Sequence, residues 1–118
     1  KRDDVEVVLA GETPAGKNLR PGKDGTPKRV TSAVGADQTF DLVASARHDV
    51  AVVVVDADAY GTRFIADLRT VFPELRVIAI SREPARRALA LRAGAVRALP
   101  RTATAKRLAK AIAQIAGS

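Results

Sequence analysis

The chain has 118 residues, which suits one compact domain over residues 1–118 with a single core. It has no cysteine, which excludes disulfides and thiolate metal sites and fits an expected cytoplasmic location, and its lone histidine, His48, reads as a polar loop residue rather than part of a metal centre or triad. No apolar run approaches the roughly 20 residues that cross a bilayer, so no membrane contact is expected, and the net charge of +7 is what composition leaves to be explained.

Val5–Ala10 (VEVVLA) reads as a first strand. Gly11–Lys28 holds four glycines and three prolines, so this first crossover reads as a long irregular loop rather than a helix. Arg29–Val34 fits a short second strand. Asp37 suits the N-cap of a helix running to about Arg47, with Phe40, Val43, Ala44 and Arg47 at helical spacing. Val50–Val55 is apolar on both faces, the pattern of a strand in the middle of a covered parallel sheet.

Phe64, Ile65, Leu68, Val71 and Phe72 fall on one helix face that Pro73 ends. Arg76–Ile80 reads as a fourth strand. Pro84 suits the first turn of the next helix and Gly94 its C-terminal cap. Ala95–Leu99 is a short fifth strand. A last helix carries Ala105, Leu108, Ile112 and Ile115 on its apolar stripe. Five alternations of strand and helix predict an α/β three-layer sandwich with right-handed crossovers. The chain opens on Lys1 rather than Met, and a place within a longer protein is the expectation.

The stretch Val77–Arg101, VIAISREPARRALALRAGAVRALPR, joins an apolar run ending in Ser81 to a helix stopped by Gly94 and a second apolar run ending in a basic residue. It resembles the second half of the receiver domain of bacterial two-component response regulators, the CheY-like family. The resemblance covers about Val30–Ile115. It implies a flavodoxin-like fold with a five-stranded parallel sheet of order 2-1-3-4-5. In that family an acidic pair after the first strand holds Mg²⁺, because a hard cation takes oxygen ligands. An Asp ending the third strand is the nucleophile that takes up phosphate. A Ser/Thr and a Lys ending the fourth and fifth strands stabilise charge on the phosphoryl oxygens.

Here Glu12 is the single acid after the first strand, following Ala10 and Gly11. Asp56 and Asp58 follow the third strand, and Asp56 is the natural acceptor. Counting from Asp49 nevertheless lands on Val54, and counting back from Gly61 lands nearer Val54 than Asp56. Ser81 matches the hydroxyl position. Arg101 stands for the Lys, keeping the charge as a planar fork rather than a point donor. Thr102 replaces the proline expected next, and Ala98 the aromatic of the fifth strand. The expectation is a degenerate pocket of Glu12, Val54, Asp56, Asp58, Ser81 and Arg101 in a pseudo-receiver that is neither phosphorylated nor an enzyme and needs no cofactor. Ser81 is then expected to cap the following helix, and Asp56 and Asp58 to be a solvated strand end. The alternative is a working receiver that uses Asp56 with Mg²⁺.

A rival motif runs from Gly11 to Lys17, G-x-x-x-x-G-K after a strand, which is the start of a P-loop and would make the chain a nucleotide-binding fragment. The next residue is Asn18 instead of a Mg²⁺-binding Ser/Thr, and Pro21 and Gly22 would break the helix that must follow.

Charge is uneven along the chain. From Arg82 onward there are nine Lys/Arg against Glu83 alone, a local net charge of +8. Arg86, Arg87, Arg92, Arg97, Lys106, Arg107 and Lys110 are the expected interaction face, and in receivers the corresponding elements form the output face. A protein partner or neighbouring output domain with an acidic surface is expected. A homodimer through this face would set like charge against like. Nucleic acid is the weaker expectation, because no DNA-reading motif is present and aromatics for base stacking are almost absent.

Overall fold

The structure, a computed structural model, describes residues 6–22, 27, 29–46 and 50–116. Val5, Arg47, His48 and Asp49, each of which carried an expectation, lie outside them. In chain order the elements are β1 (Glu6–Ala10), α1 (Pro14–Lys17), β2 (Arg29–Ala33), α2 (Gly35–Ala46), β3 (Val50–Asp56), α3 (Ala57–Tyr60), α4 (Thr62–Val71), β4 (Arg76–Ile80), α5 (Pro84–Ala93), β5 (Arg97–Leu99) and α6 (Ala105–Ala116).

Period-two side-chain alternation gives the central strands β1, β3 and β4 two apolar faces, and helices cover both. Val7, Leu9, Val52, Val54, Ile78 and Ile80 pack on Leu108, Ile112 and Ile115 of α6. Val8, Val53, Val55, Val77 and Ala79 pack on Val43 of α2, on Phe64, Ile65 and Leu68 of α4, and on Ala90 of α5. All strands pair in parallel, in the order β2-β1-β3-β4-β5. This is the flavodoxin-like α/β fold. Strand order reverses at β1 and β3, which opens a crevice at their carboxyl ends. Among the described residues no helix is long and apolar enough to cross a membrane.

Four local features differ from the sequence reading. Pro14–Lys17 forms a one-turn helix in the crossover read as irregular, because Thr13 Oγ1 accepts the Gly16 N–H at 3.1 Å and caps it. Ala15 and Leu19 then bury against the α6 layer. Helix α2 begins at Gly35, so Asp37 sits in its first turn and is not the cap. The Gln38 side chain instead reaches back to the Val34 N–H at 2.6 Å, in the manner of a capping box. On that helix Val43 is buried and Ala44 faces outward.

An unforeseen turn of helix, α3, follows β3 directly. Its Tyr60 hydroxyl accepts the Gly35 N–H at 2.9 Å and its ring lies 4.9 Å from that of Phe64. Finally, β3 carries a bulge. Glu6 pairs with Val50 but Val7 with Val52, which leaves Ala51 as an extra residue.

Gly11 follows β1 with φ of +93°, and a Cβ there would lie 2.8 Å from both Asp56 Cβ and Tyr60 Cε1. Gly11→Ala is therefore expected to lower the unfolding free energy by about 1–3 kcal/mol, read from urea denaturation, through backbone strain and displacement of Asp56.

Candidate functional site

Four connections that leave the carboxyl edge of the sheet meet over the crevice. Asp56 is the last residue of β3, opposite Ile80 of β4, and is 4% exposed. Its Oδ1 accepts the N–H of Asp58 at 3.1 Å and of Ala59 at 3.3 Å. It is thereby the N-cap of α3, and this explains why a helix starts without a break after a strand.

Asp58, in the first turn of α3, reaches towards the β4–α5 connection. Its Oδ1 accepts the Ser81 hydroxyl at 2.7 Å and Arg86 Nη1 at 2.8 Å, and its Oδ2 accepts the Arg82 N–H at 3.0 Å. The Ser81 oxygen in turn accepts the Glu83 N–H at 3.1 Å. The N-cap of α5 is Glu83, so Ser81 holds the entry to the helix two residues earlier than a cap would.

From the β5–α6 connection Arg101 closes the cluster. Its Nη1 lies 2.8 Å from Asp56 Oδ1 and 3.4 Å from Asp58 Oδ2. Its Nη2 lies 3.0 Å from the Glu12 carbonyl and 3.4 Å from Asp56 Oδ2. One planar fork thus ties the β1–α1, β3–α3 and β5–α6 connections together. The side chains are 5% (Asp56), 15% (Asp58) and 25% (Arg101) exposed, so these charges meet largely out of water.

The electrostatics follow from these contacts. Burial by itself pushes the Asp58 carboxyl up, but the Ser81 hydroxyl, the Arg82 amide, Arg86 and Arg101 outweigh it and hold the group at about 2, against an ordinary 3.8. The hydrogen bond that Arg101 donates to Asp56 raises its guanidinium further, against the opposing effect of burial.

Asp56, Asp58, Ser81 and Arg101 therefore converge. Asp56 and Asp58 are partnered and mostly buried, not a solvated strand end. Two other pocket candidates do not join them. The Glu12 side chain is exposed and only its carbonyl enters the cluster. Val54 is 2% exposed in the core, two residues inside the strand. The bulge at Ala51 adds one residue to β3, which accounts for one of the two residues by which the count from Asp49 falls short of Asp56.

Arg86 and Arg87, assigned to the interaction face, are drawn in instead. Arg86 pairs with Asp58 and, at 3.6 Å, with Glu83, and Arg87 donates to the Ser81 carbonyl at 2.8 Å. Arg92, Arg97, Lys106, Arg107 and Lys110 remain exposed, Arg97 bonding Gln114 at 3.1 Å. The role of Arg86 had one signal in the sequence. A cation in the first turn of a helix opposes the helix dipole and needs a specific acidic partner.

The P-loop reading finds no cradle. The helix over Pro14–Lys17 ends at Lys17, where a phosphate-binding helix would begin. The Gly16 and Lys17 amides are bonded to Thr13.

No protein-family model matches the chain, and no curated protein matches its sequence. Solved structures do resemble its shape. A pilus assembly-related protein from Burkholderia pseudomallei superimposes with a TM-score of 0.73 at 20% identity, over 99% of this chain and 92% of that one. A CheY-like protein (tadZ) from Pseudomonas aeruginosa gives 0.68 at 20% identity, over 96% of this chain and 94% of that one. A pilus assembly protein (cpaE) from Burkholderia thailandensis gives 0.63 at 16% identity, over 97% and 98%. The fold is CheY-like.

The resemblance to receivers implies Mg²⁺ in this crevice, and the residues present do not fit it. Two carboxylates are in place, but Arg101 and Arg86 already neutralise them, and Arg82 adds a third positive charge 3.9 Å from Asp58. Among the described residues no group of three acidic or histidine side chains is placed to hold a metal.

Removing Arg101 leaves Asp56 buried beside Asp58. Arg101→Met is expected to cost about 3–5 kcal/mol in urea unfolding at neutral pH, and Arg101→Lys to recover only part of it, because a point donor cannot span the same oxygens. A second expectation concerns pH. The folded-state pKa of Asp58 lies below that of the unfolded chain, so its contribution is present above the ordinary value of 3.8 and is lost as pH falls towards about 2. The wild type should lose about 2 kcal/mol more than Asp58→Asn between about pH 5 and pH 2 in urea titrations.

Proposed function

We propose that the domain is a receiver-like regulatory module that acts by protein–protein contact in the cytoplasm, takes up no phosphoryl group and is not an enzyme. One observation carries this reading. The carboxylate at the acceptor end of β3 is ion-paired with Arg101 at 2.8 Å and caps α3 through two backbone amides. Attack on phosphorus has to displace such partners from the oxygen that forms the bond, and both Asp56 oxygens face Arg101, Oδ1 at 2.8 Å and Oδ2 at 3.4 Å. Here an attack by Oδ1 would uncap α3 and break the clip between crossovers. The bridge at Arg101 also fills the space a divalent cation and phosphoryl oxygens would share.

The CheY-like shape favours a signalling role, and the similarity to pilus assembly proteins favours a place in an assembly of that kind. Partner contact is assigned to the basic face of α5, β5 and α6, where Arg92, Arg97, Lys106, Arg107 and Lys110 stand exposed. An acidic surface on a partner or neighbouring domain fits that charge. Self-association through the same face is disfavoured by like charge.

The working-receiver alternative draws on the position of Asp56 at the strand end, and one titration separates the two. Beryllofluoride with Mg²⁺, followed by two-dimensional NMR, is expected to leave the amides of Asp56, Asp58 and Ser81 unmoved. A saturable shift centred on those residues would establish phosphoryl-type uptake and overturn the proposal.

A further inference from the structure

We infer that the Arg101 guanidinium is a built-in cation, which stands between Asp56, Asp58 and the Glu12 carbonyl and excludes a divalent ion from the crevice. This deepens the reading of an inert pocket and rests on it. Arg101 Nη1 lies 2.8 Å from an oxygen of Asp56 and 3.4 Å from one of Asp58, so both carboxylates are aimed at a single point. The Glu12 carbonyl, 3.0 Å from Nη2, supplies a third oxygen from a different segment.

Two carboxylates so close and so little exposed repel one another unless a cation stands between them. A mobile divalent ion meets that need with carboxylate, carbonyl and water oxygens. A tethered guanidinium meets it without any concentration dependence. The other groups facing the point are accounted for. Arg86 and the Ser81 hydroxyl are spent on Asp58 Oδ1, and Arg82 stands 3.9 Å from Oδ2. These positive charges weaken any metal but leave the oxygens of Asp56 to Arg101 and to the α3 amides. The inference therefore has two parts. The wild-type crevice excludes divalent cations, and loss of the Arg101 side chain admits one.

The test uses Mn²⁺ as a paramagnetic probe in NMR and Mg²⁺ in thermal unfolding, on the full chain. Wild type should show no selective broadening of the Glu12, Asp56 and Asp58 amides and no Mg²⁺-dependent rise in Tm. Arg101→Ala should gain both, with a Kd on the order of 10⁻⁴–10⁻³ M. A second change, Asp56→Asn, should abolish the gain. If Arg101→Ala does not fold in cation-free buffer, Mg²⁺ or millimolar guanidinium ion should restore its circular dichroism, and failure of both overturns the inference. A folded Arg101→Ala that binds no Mn²⁺ overturns it as well. So does selective broadening in the wild type, which leaves the proposed function standing if beryllofluoride is still refused. Beryllofluoride uptake instead removes the proposed function itself.

Discussion

Two carboxylates in a largely buried crevice impose one requirement, a positive charge held between them. Arg101 meets it, and much of the upper surface is arranged round that fact. Its fork reaches Asp56, Asp58 and the Glu12 carbonyl, so three crossovers that diverge from the sheet are fastened at one place. Ser81, Arg82 and Arg86 fasten the fourth crossover to Asp58. A salt bridge this deep is weak evidence of net stabilisation, since its desolvation opposes its attraction. Its clearer effect is to fix which conformation the loops adopt.

The crevice lies where it does because of the sheet. Parallel strands with right-handed crossovers deliver every βα connection to the same edge. The reversal of order at β1 and β3 leaves the space between those connections open. Two packed layers hold the strand ends still. Below, α6 lies on Leu9, Val54 and Ile80, and Arg76 reaches the Ile115 carbonyl at its C-terminal end. Above, α4 places Phe64 against Phe40 and Tyr60, and the Tyr60 hydroxyl binds the loop that opens α2. A flavodoxin-like scaffold of this kind presents side chains at its carboxyl edge whatever chemistry they perform.

The fold was legible because its signals are local and repeated. Val52–Val55 could only be a covered strand, Pro84 and Gly94 bracket α5, and Leu108, Ile112 and Ile115 mark one helix face. What escaped depended on single side chains. The one-turn helices exist through the Thr13 and Asp56 caps, and so short a segment has no periodicity to read. The start of α2 shifted because Gln38 reaches backward, a choice that composition does not reveal. In the site, Asp56, Asp58, Ser81 and Arg101 were named from the motif, but the geometry that unites them was not. Val54 rests on residue counts, of which the bulge at Ala51 upsets only the one from Asp49, by one residue, and Glu12 on the assumption that an acid after β1 points inward. Arg86 and Arg87 were placed outside because a helix rich in arginine reads as a solvated face.

The side chains of the crevice also have structural tasks of their own. Asp56 caps α3, Asp58 anchors the entry to α5, and Ser81 links the two through one hydroxyl that donates to Asp58 and accepts from Glu83. Each has a structural task that needs no phosphate, so its presence alone says nothing about phosphoryl transfer. The informative position is Arg101. A lysine ammonium there would be a compact donor able to serve one oxygen and release it. The guanidinium is always charged, weakly hydrated and shaped for two acceptors at once. It suits permanent occupation of the crevice better than transient contact with an arriving anion. The identity of this one side chain, more than the missing acid after β1, separates a crevice that waits for a ligand from one that is already filled.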